Sequence, residues 1–400
     1  MSTAAKVPLF ITRYSLSSRT AIGIQTRRLI DANADWLHFH WWTSEYGRQD
    51  PRSILLENWF VSRYSVFKRS RIAKSALQFG GFSRWHRNQL RGGAAAMIQE
   101  HFASRVSCIY AAPIDRGDAA RCRSIIELMD APFVLHIWDY LDGSLEHEEH
   151  RWLTERAARV YCLSEPMLER VSRIRPDAQR LLFSREASQH QAAAPGDNRL
   201  IINLIGDLGS YLDGIALLDA AVSSLRADGV SVTVQYVGTA RSLRRVRSAL
   251  VPEIKVLGFF ENPALRDAAL STGHVSFLPG PRQDPERSLR SLFSIPSRIL
   301  DFFATASPIV GTVHPESATG KFLRRYGFGD GAFVADHREL ARALKACLQR
   351  AVWERESARS RRAFSLIAAD PPPEKLRRDM QELAANRSGR GLPLTTPIAV

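Results

Sequence analysis

At 400 residues the chain is long enough for two globular domains, or at most three. Its 45% hydrophobic and 24% charged residues exclude disorder as the main state, and equally a collagen-like or disulfide-scaffold architecture. The formal net charge of +14 rests on 48 arginines and only seven lysines. Anionic partners are attracted by that charge, but an Arg- and Ala-rich chain also follows from genomic base composition, so charge alone names no function.

In chain order, the start MSTAAKVPLFITRYS has one lysine and a short apolar run, too short for a signal-peptide core or a membrane span. No later segment reaches the ~18 uninterrupted apolar residues of a spanning helix, so a cytoplasmic protein is expected. β-rich runs are expected at Val7 to Thr12, Trp36 to His40, Val106 to Ala112, Phe133 to Trp138 and Val160 to Leu163. A second series follows at Leu200 to Ile205, Val232 to Val237, Ile254 to Leu257, His274 to Leu278 and Ile309 to Val313. Amphipathic stretches such as Ala119 to Met129, Ile215 to Arg226 and Pro263 to Leu270 lie between them, which predicts repeated β-α-β units and parallel sheets covered on both faces. The turn-rich QHQAAAPGDN at 189–198 divides two strand-rich halves. The expected organisation is therefore a domain over 1–190, a second over 199–385, and a mobile tail over 386–400.

Several motifs are set aside. No G-x-G-x-x-G follows the first strand, and Gly320-Lys321 lacks both the first glycine and the Ser/Thr of a phosphate-binding P-loop. Cys108, Cys122, Cys162 and Cys347 form no C-x-x-C pair and read as buried, reduced thiols. His147-Glu148-Glu149-His150 reads as a solvated acidic helix end, and no metal site is expected.

The most informative segment is FSIPSRILDFFATASPIVGT, Phe293 to Thr312. Pro296 suits a first helical position. At ~100° per residue, Ser294, Ser297, Arg298, Asp301 and Thr305 share one polar arc opposite Ile295, Ile299, Phe302 and Phe303. Two readings stand side by side: a solvated face, or a helix start whose N–H groups and Arg298 take a diphosphate while Asp301 takes a ribose diol.

A basic and aromatic stretch spans residues 58–99. It holds no acidic residue between Glu57 and Glu100, and carries Arg63, Lys68, Arg69, Arg71, Lys74, Arg84, Arg87 and Arg91 among Trp59, Phe60, Tyr64, Phe67, Phe79, Phe82 and Trp85. A solvated basic insertion, an anionic membrane surface and an RNA backbone all suit that mixture. No recognised nucleic-acid module occurs, and the remaining arginines are dispersed, so nucleic acid is the least favoured partner.

PSRILDFFATASPIVGT resembles the nucleotide-sugar-binding segment of family 4 (group 1) glycosyltransferases, with its P-S-K, paired glutamate and P-V-x-x-T elements. Arg159 to Met167, ending in Ser164-Glu165, is similar to a strand of that family, and Ser15 to Leu29 to its first loop and helix. Gly206-Asp207, Tyr236-Val237-Gly238, Val256-Leu257-Gly258-Phe259 and Ser276-Phe277-Leu278-Pro279 follow the order of its carboxy-terminal domain. The resemblance implies a GT-B fold, two Rossmann-like doubly wound parallel-sheet domains facing across a cleft, with the acceptor in the first and the donor in the second. It implies a retaining, hexosyltransferase-like enzyme of polysaccharide biosynthesis that moves a sugar from a nucleoside diphosphate donor to a carbohydrate or lipid-linked acceptor. No cofactor is implied beyond the nucleotide sugar as co-substrate. The expected location is the cytoplasm, with peripheral attachment to the inner membrane face through residues 58–99.

Residue by residue, the resemblance places donor binding on Arg19, Gly23, Gly206, Ser294, Ser297, Arg298 and Asp301, and the acceptor side on His136 or Asp139. The chain departs from the family where a G-R-…-K-G pattern supplies two cations: Asp207 and Asp213-Gly214 stand there. Diphosphate binding then falls to Arg298, the helix dipole, and Arg19 or Lys321. The paired glutamates are represented by Asp301 and, eight residues earlier, Phe293, which leaves Asp284 or Glu286 for the sugar. Trp138-Asp139 replaces a His-Asp pair, with His136 two residues back. These departures support an alternative, a non-catalytic GT-B relic that binds a glycan or nucleotide.

Overall fold

The computed structural model describes residues 6–14, 21–33, 35–42, 53–55, 105–129, 131–139, 147–183, 185–196, 198–209, 211–246, 254–280, 288–369 and 371–389. The chain divides into two compact units. Met1–Cys162, Leu168–Leu181 and Pro372–Val400 form the first, and Leu163–Met167 with Leu182–Pro371 the second.

The first unit contains β1 (Val7–Tyr14), α1 (Ala21–Asp31), β2 (Leu37–Trp42), β3 (Ser53–Leu55), β4 (Val106–Ala112), α2 (Arg116–Met129), β5 (Phe133–Ile137), α3 (Glu148–Arg156), β6 (Arg159–Cys162) and β7 (Gln179–Arg180). α4 (Glu165–Val171) begins in the second unit's short segment and ends in the first unit. The strands pair in the order β3-β2-β1-β4-β5-β6-β7, all parallel. β4 and β5 are buried along their whole length, which is why they read as largely apolar runs. β3 and β7 were not expected from the sequence: at three and two residues, on the sheet's edges, they carry too little pattern to register.

The second unit contains β8 (Arg199–Ile205), α5 (Leu212–Ala227), β9 (Ser231–Val237), α6 (Ala240–Val246), β10 (Ile254–Gly258), α7 (Pro263–Ser271), β11 (Val275–Leu278), α8 (Leu289–Phe293), α9 (Arg298–Ala304), β12 (Ile309–Gly311), α10 (Ala318–Arg325), α11 (His337–Ala346) and α12 (Arg350–Ala368). Its sheet has the order β10-β9-β8-β11-β12, again all parallel. Leu200, Ile202 and Leu204 of β8 pack with Ile215, Leu218 and Val222 of α5, each worth about 1.5–3 kcal/mol of burial. A second cluster gathers Ile299, Phe302 and Phe303 of α9 with Ile309 and Phe322, the rings of Phe303 and Phe322 stacking at 6.2 Å. Local signals set the helix starts: Asn262 accepts a hydrogen bond from Ala264 N at 2.8 Å ahead of Pro263, and Asp336 accepts from the N–H groups of Arg338 and Glu339 at 2.8 and 2.9 Å.

The last helix, α13 (Pro372–Gly389), belongs to the first unit. The turn-rich division of the sequence extends the second domain to residue 385, whereas α13 falls in the first unit, with Leu376 and Met380 fully buried. Cys108 Sγ donates to Met380 O at 3.4 Å, Tyr161 bonds the Asp379 carboxylate, and Arg377 Nε donates to Asn33 Oδ1 at 2.9 Å. Helical order runs through residues 386–389 of the expected tail, and residues 390–400 lie outside the described residues. All four cysteines are free and buried. Among the described residues no helix is long and apolar enough to cross a membrane.

Candidate functional site

In the second unit the chain leaves β8 for β9 and β10 on one side, then returns to β11 and β12 on the other, so the sheet reverses its winding between β8 and β11. The carboxyl ends of two such strands bound a crevice, the general ligand position of doubly wound sheets. Gly206 ends β8 with φ of 85°, a conformation that costs glycine nothing, and its carbonyl accepts from the Tyr236 hydroxyl at 2.9 Å. Asp207 Oδ1 accepts from Gly209 N and Ser242 Oγ, both at 3.0 Å, which folds the loop back on itself.

Arg298 lies under this loop, 8% exposed. Its Nη1 donates to Ile205 O at 3.2 Å and Asp207 O at 3.3 Å, and its Nη2 to Pro279 O at 3.2 Å. The Tyr211 ring covers its face, with Cζ 4.6 Å from the centroid. Burial pulls its pKa below the ordinary value, opposed by Tyr211 and the Asp207 carboxylate, and three carbonyls accept from the guanidinium. The expectation of an open polar arc is corrected here: the guanidinium is part of the packed interior. Regular helix also begins at Arg298 rather than Pro296, because Ile299 N and Leu300 N bond Pro296 O and Ser297 O in a tight i+3 turn.

Beside the crevice, α5 brings Gly214 against Thr312 and Pro279. A Cβ at residue 214 would stand 2.6 Å from Thr312 Oγ1 and 3.3 Å from Pro279 Cβ, so only glycine fits. Thr312 is 1% exposed, and its Oγ1 has no hydrogen-bond partner among the described residues.

Asp301 is 7% exposed and belongs to a charge network rather than to an open face. Its Oδ1 is 2.9 Å from Arg185 Nε and 3.2 Å from Arg266 Nη2, and Asp267 pairs with Arg185 as well. Burial opposes the charge on Arg185, but Asp301 and Asp267 outweigh it and hold the guanidinium pKa above its ordinary value. Two cations and two anions balance, which is the condition for burying any of them. Ser294 and Ser297 are half-buried; Ser294 O accepts from Thr319 Oγ1 at 2.9 Å, and Ser297 makes no side-chain cap. The polar arc expected for Arg298, Asp301 and Thr305 therefore exists, but it is covered by backbone carbonyls and by Arg185 and Arg266.

The first unit has its own reversal, between β1 and β4. Arg13 at the end of β1 donates through Nε to Asp118 Oδ1 at 3.0 Å and pairs with Asp115. Asp115 caps α2, accepting from Asp118 N at 3.0 Å, and the Arg13 cation outweighs burial to bring its carboxyl below the ordinary range. Gly23 is buried in α1, and Asp139 is half-buried after β5. Arg19, Asp284, Glu286 and the 58–99 stretch lie outside the described residues.

His136 is 1% exposed, with both ring nitrogens engaged: Nδ1 with the Tyr110 hydroxyl at 2.5 Å, and Nε2 with Leu181 O at 3.0 Å. Trp138 Nε1 donates to the same Tyr110 oxygen at 3.2 Å. Burial lowers the His136 pKa to about 3, so the imidazole is neutral. The geometry is that of a satisfied core histidine, with both ring nitrogens taken up by internal partners. The 147–150 run is likewise corrected: Glu149 and His150 are buried, and Glu149 lies 3.7 Å from Arg116 Nε. No group of metal-ligating side chains occurs among the described residues.

Sequence reasoning missed Arg185 and Arg266 as partners of Asp301, and Asp267 as the second anion on Arg185. One signal was present, since helical spacing puts Arg266 and Asp267 on the face of buried Leu270. It also missed Tyr211, Gly214 and Thr312, which only the closeness of α5, β11 and β12 brings together.

No family model matches the chain, and no curated protein matches it in sequence. Solved structures do match in fold. HepE of Anabaena in complex with UDP-glucose is 12% identical with a TM-score of 0.58, over 96% of this chain and 100% of that one. The trehalose 6-phosphate synthase of Burkholderia multivorans is 12% identical with a TM-score of 0.61, over 99% and 100%. The sucrose-phosphate synthase of Thermosynechococcus elongatus is 13% identical with a TM-score of 0.59, over 96% and 99%. With its two all-parallel units, the chain has the GT-B fold. At these identities the likeness establishes that fold, and not one family within it.

Proposed function

We propose that the chain is a glycosyltransferase of the family 4 kind, moving a sugar with retention from a nucleoside diphosphate donor at the second unit to a glycan or lipid-linked acceptor at the first. The observation that carries the reading is the reversal of strand order between β8 and β11, where a Gly206 turn, a buried Arg298 and a Thr312 hydroxyl without a partner among the described residues lie at the ligand position of a doubly wound sheet. The likeness to HepE, which is described in complex with UDP-glucose, supports a nucleotide sugar as the ligand. In such a transfer an acceptor oxygen bonds to the anomeric carbon as the bond to the diphosphate breaks. The acceptor proton leaves with the diphosphate or passes to solvent. Little covalent chemistry is asked of the protein: it holds the acceptor beside the donor and stabilises the departing anion. Gly206, Ser294, Ser297 and, in the first unit, Arg19 and Gly23 are the proposed donor contacts, and Asp139 the acceptor-side carboxylate.

A second reading, a relic that binds without turnover, draws on Asp207, which stands where the family has a cation, and on the commitment of Arg298 and Asp301 to internal partners. A panel of radiolabelled nucleotide sugars separates the two. Saturable binding with release of nucleotide supports the transferase; binding without release in the presence of every acceptor class supports the relic. Attachment through residues 58–99 is part of the proposal. Wild-type protein is expected to pellet with anionic vesicles and to be released by salt, while the Lys68, Arg69, Arg71 and Lys74 to Gln variant stays in solution. Equal partitioning of the two proteins removes that part.

A further inference from the structure

We propose that Arg298 is a positioning residue of the β8–β11 crevice, a clamp on its walls and not a ligand of the donor; the proposal rests on the nucleotide-sugar reading of the site. The guanidinium reaches Ile205 O and Asp207 O on either side of Gly206, and Pro279 O after β11. It therefore ties together the ends of two neighbouring strands whose connections leave in opposite directions, across sequence separations of 93, 91 and 19 residues. A planar fork suits this task, because one rigid group meets several acceptors at once, where an ammonium would meet them one at a time.

What the clamp holds in place follows from its neighbours. The Tyr211 ring lies on the guanidinium face, and Tyr211 is the residue before α5, a helix of 16 residues to whose first turn the Tyr211 side chain gives no cap. Three residues on, Gly214 abuts Thr312 Oγ1, which is buried without a partner. These groups, with Arg298 Nε–H, which also lacks a partner among the described residues, have hydrogen-bonding capacity left for an anionic or hydroxyl-bearing ligand. By contrast the terminal nitrogens of Arg298 are engaged with carbonyls, one face is covered and the residue is 8% exposed. Released from the clamp, the three carbonyls would turn toward the ligand as uncompensated negative dipoles.

The test uses the full chain, with Arg298→Met to remove the fork at similar length and Arg298→Lys to keep the charge. In the ligand-free protein, amide hydrogen exchange over residues 205–214 is expected to speed up at least tenfold in Arg298→Met, with β9 unchanged and Arg298→Lys intermediate. Affinities for UDP and for uridine are expected to fall by the same factor, because a displaced wall affects both. Unchanged exchange over 205–214 overturns the clamp. So does a loss confined to UDP, which would mark direct contact with phosphate. Should Arg298→Met not fold, the Lys variant carries the same comparison. If wild-type protein binds neither UDP nor uridine, the nucleotide-sugar reading falls, while the exchange measurement still decides the clamp.

Discussion

Acidification is expected to act on the first unit through His136. Leu181 O can only accept, so Nε2 carries the imidazole proton, and Nδ1 accepts from the Tyr110 hydroxyl. The Tyr110 oxygen in turn accepts from Trp138 Nε1, leaving that oxygen no reason to welcome a second proton-bearing nitrogen. The folded-state pKa of about 3 lies below the unfolded value near 6.5, so the associated stability is complete above pH ~6.5 and is lost as pH falls from there toward ~3. At pH ~4.5 two units of the shift are expressed, or about 3 kcal/mol at 1.36 kcal/mol per unit. The assay compares urea unfolding of wild-type protein and His136→Gln at pH ~7 and ~4.5, followed by probes in the first unit. Wild-type protein is expected to lose about 3 kcal/mol more than the variant between the two conditions. In parallel, the 15N spectrum of labelled histidine should show a neutral, Nε2-protonated ring throughout that range. A His136 resonance titrating near pH ~6.5, or equal acid sensitivity in the two proteins, would refute the buried neutral assignment and reopen an acid–base role for this residue.

Asp301→Asn removes one anion from the Arg185–Asp267–Asp301–Arg266 network and leaves two buried guanidinium groups on one carboxylate; a loss of about 3–5 kcal/mol in the second unit is expected by thermal or urea unfolding, with Asp301→Glu milder. Full stability in Asp301→Asn would show that the network is not formed in solution. Gly214→Ala drives a Cβ into Thr312 Oγ1 and should cost about 1–3 kcal/mol, part of it recovered when Thr312→Ala is added; strict additivity in that double-mutant cycle would contradict the contact. Met380→Ala opens a cavity between α13 and β4 and should destabilise the first unit by about 2–5 kcal/mol while sparing the second, and the reverse pattern would reassign α13.

The longer strands of both sheets were legible in the sequence because central ones bury side chains on two faces, and a largely apolar run such as VSCIYAA or RLIINLI has no other comfortable place in water. The start of α7 was equally local, set by Asn262 with Pro263. The segment around Arg298 shows where such reasoning stops. Periodicity correctly placed Arg298, Asp301 and Thr305 on one side of α9, but a helical wheel describes a face and not what covers it. The face is closed by Ile205, Asp207 and Pro279 on Arg298 and by Arg185 and Arg266 on Asp301, groups up to 116 residues away that no local pattern connects. His136 was ambiguous for the same reason, since the chemistry of an imidazole is set by its two partners, here Tyr110 and Leu181, 26 and 45 residues distant. Composition and periodicity thus determined which residues form the layers. Which polar groups inside them remain open to a ligand was decided by the tertiary structure, because a buried charge takes its partners from whatever backbone and side chains the fold brings within hydrogen-bonding distance.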